Sequence, residues 1–308
     1  MHDIKSSLLI FIFLCLLSAN AFPRDNLSIE INGEELAVER YSADGDTLVL
    51  FLSTGFGESE RVNQVAEGLV ALGIEFWNID LLESLFLPRS VSTFREMDGS
   101  YVAGLISRAH EITGKRITLM TRAYSSIATL RGVHKWQQGF SETRKTAASQ
   151  DPGSVYLNGV ILISPELYIS IPDLGLNPVF APVVSATNVP VMIFQPGNRG
   201  NRWQIEKISS ELQKGGSQVF TRFYPGVVGI FYRRDRSPET MKVLEQFPAE
   251  IRQASNLLER IQTPSAGGKL ADIPDNLDGT LDLSLQPFRG NPSPPPLDLM
   301  TARGTRSA

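Results

Sequence analysis

The chain has 308 residues, 42% hydrophobic and 20% charged, with a formal net charge of −4. A mildly acidic chain without a basic block has no electrostatic footprint for nucleic acid, which excludes that class of partner. The single cysteine, Cys15, lies in an apolar run near the N-terminus.

That run, Leu8 to Leu17, follows Lys5 and precedes Ala19-Asn20-Ala21. A basic, then apolar, then small-residue order is the pattern of a secretory signal peptide. A bilayer span needs about 20 apolar residues, so removal of residues 1–21 is expected rather than anchoring. A periplasmic or secreted protein with no stable membrane span follows. Cleavage removes Asp3 together with Lys5, leaving the charge unchanged, and it also removes the cysteine. Disulfides, zinc–cysteine sites and thiol nucleophiles are then excluded.

Residues Ser28 to Tyr41 read as a hairpin turned at Asn32-Gly33. Thr47 to Leu52 is continuously apolar after its first residue, as a strand buried on both faces should be. Arg61 to Leu72 has helical spacing and stops at Gly73, and Ile74 to Ile79 is a strand. Ser100 to Thr113 reads as a helix, Arg116 to Met120 as a strand and Ser125 to Trp136 as a helix. Strands are expected over Val155 to Ser164, Val189 to Gln195 and Gln218 to Tyr224, with a helix over Gln204 to Lys214. Ser237-Pro238-Glu239 starts a last helix reaching about Ile261, with a kink expected at Pro248.

This alternation implies an α/β fold: a mostly parallel sheet with helices on both faces, preceded by the hairpin. The domain is expected over residues 22–262. Leu81 to Met97 reads as a long connection and Ser141 to Ser154 as a polar insertion. Residues 263–308 form a proline-rich tail expected to be mostly disordered.

Three places resemble the alpha/beta-hydrolase family, over roughly residues 40 to 262. Thr54-Gly55-Phe56-Gly57 follows the first buried strand, where the family commonly has His-Gly-x-Gly and an oxyanion-binding loop. Thr121-Arg-Ala-Tyr-Ser125 stands where the family has its G-x-S-x-G nucleophile elbow. Val191-Met-Ile-Phe-Gln-Pro-Gly197 resembles the strand and loop that deliver the acid.

Carried over residue by residue, the resemblance implies a degenerate member. The elbow position is Ala123, which has no oxygen to attack with. Asn198 and Asn201 stand where a carboxylate is expected, and Ile230 where an imidazole would be. Beyond residue 21 only His110 and His134 remain, and neither follows the acid position as the order of this triad requires. Ser125 is a candidate shifted nucleophile, although a serine at a helix start more commonly caps it. Both histidines are expected at the surface.

No cofactor and no metal are expected. The loop after the first buried strand lacks G-x-G-x-x-G spacing, and two distant histidines make a poor transition-metal site. The resemblance instead implies a ligand pocket at the elbow mouth, formed by Thr54, Gly55, Phe56, Arg122 and Tyr124 and covered by segments 81–97 and 167–184. The expected function is binding of a small ligand or an envelope protein partner. Two alternatives stand beside it: an esterase- or peptidase-type hydrolase using Ser125 or Ser53, and a scaffold acting through the tail.

Overall fold

Asn32 and Gly33 both adopt positive φ, at 55° and 83°. This gives the tight hairpin turn between β1 (Arg24–Ile31) and β2 (Glu34–Tyr41) its right-handed twist. The computed structural model describes residues 24–54, 59–146, 156–169 and 178–261. The expected signal peptide, the expected tail and residues 147–154 of the expected insertion lie outside the described residues.

β3 (Thr47–Leu52) carries the alternation that organises the molecule. Leu48, Leu50 and Leu52 enter one core, and Val49 and Phe51 enter the other. A strand buried on both faces must sit inside a sheet, and β3 lies between β4 (Glu75–Ile79) and β5 (Arg116–Arg122) with parallel pairing to each. With β6 (Leu157–Ile163), β7 (Val191–Pro196) and β8 (Val219–Tyr224), the described residues form an eight-stranded sheet. Its order is β1-β2-β4-β3-β5-β6-β7-β8. Only the β1–β2 and β2–β4 pairings are antiparallel.

Helices cover both faces, as the alternation requires. α1 (Ser59–Ala71) lies beside the last helix, which runs over Pro238–Arg260. Gly68 permits this approach, because a Cβ there would lie 2.5 Å from the Pro248 ring. The helix continues through Pro248. Segment 81–97, read as a plain connection, contains α2 (Leu81–Ser84) and α3 (Val91–Glu96). These are too short for a periodic signal; Asp80 and Ser90 cap them by accepting from the backbone N–H groups of Glu83 and Thr93.

On the opposite face, α4 (Ser100–Thr113) packs against α5 (Ser125–Thr146). α5 runs on past Trp136 into the segment read as an insertion. That stretch is rich in polar helix formers, which sustain a helix without an apolar stripe. α6 (Pro182–Ala186), α7 (Ile205–Lys214) and α8 (the Pro238–Arg260 helix) complete the order.

Glu75, 1% exposed, ties the N-terminal edge of the sheet together. It accepts hydrogen bonds from Arg40 Nε at 2.7 Å and Trp77 Nε1 at 2.7 Å, and Lys115 Nζ lies 2.9 Å away. Burial pushes its carboxyl pKa up, but these donors outweigh burial and hold it below the ordinary range. Its stabilising contribution is therefore complete at neutral pH and fades as the pH falls through the folded-state pKa. Glu75→Gln should cost about 2 kcal/mol, because the half-buried Arg40 and Lys115 lose their counter-charge. Urea unfolding at pH 7 and pH 4 checks this; equal midpoints for both proteins at pH 7 would refute it.

Candidate functional site: the cavity at the β5–α5 turn

In open α/β sheets, ligand crevices form outside the carboxyl ends of the strands. Here the β5–α5 turn forces Ala123 to φ 45°, and Ser164, just past β6, adopts φ 48°. A left-handed backbone is costly for residues with a Cβ, so both need external support. The Ala123 N–H donates to Ile163 O at 3.1 Å, and the Glu166 N–H donates to Ala123 O at 3.1 Å. The Ser164 N–H donates to Phe194 O at 2.9 Å. The ladder thus continues beyond the strand ends and clamps the turn.

Beneath the turn opens a cavity of about 1120 Å³. Glu60, Arg61 and Gln64 of α1 form one side, and Arg122 and Ala123 the turn itself. Ser164, Arg199 and the loop between β8 and α8, with Ile230, Phe231, Arg233, Arg234 and Arg236, close the rest. Among the described residues, six arginines and one glutamate therefore line it, in a chain of net charge −4.

Arg61, 7% exposed, holds the β8–α8 loop by donating to Ile230 O at 2.9 Å and to the Asp235 carbonyl. Burial pushes its pKa down; Asp235 opposes that shift and Arg236 adds to it. Asp235 pins the same loop from within. Its carboxylate accepts from the Val228 N–H at 3.0 Å, Thr240 Oγ1 at 2.6 Å, the Ser237 N–H at 3.1 Å and Ser237 Oγ at 2.7 Å. Burial raises the Asp235 pKa, but these four donors win and lower it to about 2.

The sequence-derived site residues separate in space. Arg122 and Ala123 line the cavity; Thr54 and Tyr124 are not among its lining residues. Thr54 is buried past the end of β3. Tyr124 sits by Glu166, whose carboxylate accepts from Tyr168 Oη at 2.6 Å and lies 3.8 Å from Arg199. Burial and the Glu166 charge together raise the pKa of both tyrosines. Gly55 and Phe56 lie outside the described residues.

Ser125 is 1% exposed and begins α5 itself. Its hydroxyl lies 2.6 Å from Thr121 Oγ1 and donates to Arg122 O at 2.8 Å, turning back into the sheet rather than capping the helix. Asn201 spends its amide on Ser164 and Pro165, donating to their carbonyls at 3.2 and 3.1 Å. Ile230 is buried with its carbonyl on Arg61.

The histidines are half-buried rather than at the surface. His110 stacks on Tyr156 at 3.8 Å and shares a hydrogen bond with the Lys115 carbonyl, while His134 pairs with Gln138. Neither lines the cavity.

No protein-family model and no curated protein sequence matches this chain. Solved structures do. A hyperthermophilic esterase from the archaeon Pyrobaculum calidifontis superposes with a TM-score of 0.51 at 15% identity, covering 82% of this chain and 88% of its own. A dienelactone hydrolase from Anabaena variabilis gives 0.50 at 16% identity, covering 74% and 95%. Carboxyl esterase 2 from Tuber melanosporum gives 0.51 at 13% identity, covering 77% and 87%. The fold is that of the alpha/beta hydrolases. In an alpha/beta hydrolase the nucleophile sits on a sharp strand-to-helix turn; the β5–α5 strand-to-helix turn here carries Ala123 at φ 45°.

The residues missed in the sequence are Arg61, Arg199, Arg233, Arg234 and Arg236, with Ser164 and Glu166 beside them. Arg233-Arg234-Asp235-Arg236 is a visible basic run, but its position on the cavity is not legible in the sequence. Because Asp235 titrates low, its hold on the loop is complete at neutral pH and is lost as the pH falls from about 4 toward 2. Asp235→Asn should cost about 2 kcal/mol at pH 7. Thermal unfolding of both proteins should show the gap closing over that acid range, and a gap independent of pH would overturn this.

Proposed function

We propose that this is a secreted or periplasmic alpha/beta-hydrolase-fold protein that binds a small ligand in the elbow cavity without Ser-His-Asp hydrolysis. One observation carries the reading: the turn keeps the left-handed backbone of a nucleophile elbow, at φ 45°, yet presents an alanine. The backbone strain of a catalytic turn persists without a catalytic atom, while a large cavity beside it remains. Asn201, committed to backbone carbonyls, and the apolar Ile230 support the same reading. Neither can orient or charge an imidazole as a carboxylate–histidine pair does. Export rests on the basic, apolar and small-residue order of residues 1–21.

A fluorophosphonate probe and short-chain nitrophenyl esters test this on the purified chain. We expect no labelled serine and no turnover above the rate in buffer. Ala123→Ser should fold and remain without ester turnover, because a hydroxyl alone lacks a general base. Labelling of Ser125, Ser53 or Ser164, with turnover lost on its replacement by alanine, would overturn the reading and establish a hydrolase with a non-standard nucleophile.

A further inference from the structure

The cavity has two chemically distinct surfaces. One is cationic: Arg61, Arg122, Arg199, Arg233, Arg234 and Arg236, against Glu60 as the one carboxylate among the described lining residues, with Glu166 behind Arg199 at 3.8 Å. The other is apolar, with Ile163, Ile230, Phe231, Met241 and Leu244. The charge is not a sample of the whole surface, since the protein as a whole is acidic. Arg233, Arg234 and Arg236 are exposed and make no hydrogen bond or ion pair with any described residue. Asp235, standing between them in sequence, is turned inward and spent on the loop's own donors. The loop is thereby built to display its cations and hide its anion.

Like charges gathered on one wall repel. An anion seated among them relieves the repulsion. Guanidinium groups are suited to phosphate and carboxylate through paired N–H donors. A volume of about 1120 Å³ far exceeds what an inorganic ion fills, and the apolar wall would be left wet by one.

Resting on the binding function proposed above, we propose that the cavity takes an amphiphilic organic oxyanion, a phosphate or carboxylate head on an apolar body. The head meets the arginines at the β5–α5 turn and the β8–α8 loop, and the body lies against Ile230, Phe231 and Leu244. The apolar part accounts for the volume, and the head for the charge segregation.

Isothermal titration of the full chain with octyl phosphate, octyl glucoside and inorganic phosphate tests the proposal. Octyl phosphate should bind at least about tenfold more tightly than either of the others, and more weakly as salt is raised. The double variant Arg233→Gln/Arg234→Gln, altered only at exposed positions, should lose about tenfold in affinity. Glu60→Gln should gain a few-fold, a change of opposite sign that general loop damage would not produce. Lys135→Gln, a surface cation away from the cavity, should change nothing.

Equal binding of octyl glucoside would overturn the choice of an anion while leaving a ligand-binding protein. Equal binding of inorganic phosphate would overturn the amphiphile, and no heat with any probe from folded protein would overturn the site. Hydrolysis in the ester assay would instead strike the binding function itself, so the two failures are separable.

Discussion

The turn between β5 and α5 is held in a conformation its own residue disfavours, and the site depends on what holds it there. Ala123 has a Cβ and a positive φ. An isolated turn would relax, at a gain of about 1–3 kcal/mol. It is kept by hydrogen bonds to the ends of neighbouring strands: Ile163 O accepts from its N–H, and Glu166 N–H donates to its carbonyl. The Ser125 hydroxyl closes the turn from the helix side through Arg122 O. Those bonds exist only because β5 and β6 are adjacent and parallel. The strained turn, the cavity beside it and the aim of Arg122 are consequences of one sheet order.

A second constraint acts at the loop after β8. Arg61 reaches from α1 to its carbonyls and Asp235 satisfies its amides, so the loop is anchored from both sides. Burying an arginine and an aspartate is costly unless each finds partners, and here the partners are the loop itself. The anchoring leaves the loop's remaining arginines pointing their charge at the cavity's side of the molecule. Rigidity and cationic character are thus supplied by the same short segment.

Much of the fold was legible because burial imposes periodicity. Thr47 to Leu52 reads as an interior strand, and Asn32-Gly33 as a tight turn between strands. Short capped helices at Leu81–Ser84 and Val91–Glu96 carry too few turns for a stripe, and the end of α5 carries none, so these went unread. Of the site, Arg122 and Ala123 were found because a motif position marks them. Thr54 and Tyr124 were neighbours of that motif in sequence, yet the first is buried beyond β3 and the second turns to Glu166.

By itself, the sequence determined the alternation of strands and helices, the chain's acidity and the side-chain chemistry at each motif position, Ala123 included. These are local properties, written in residue type and spacing. Only the tertiary structure decided that arginines from α1, β5, the β7 exit and the β8–α8 loop line a single cavity. Periodicity records whether a residue is buried, but convergence is set by strand order and helix packing, which join segments far apart in the chain.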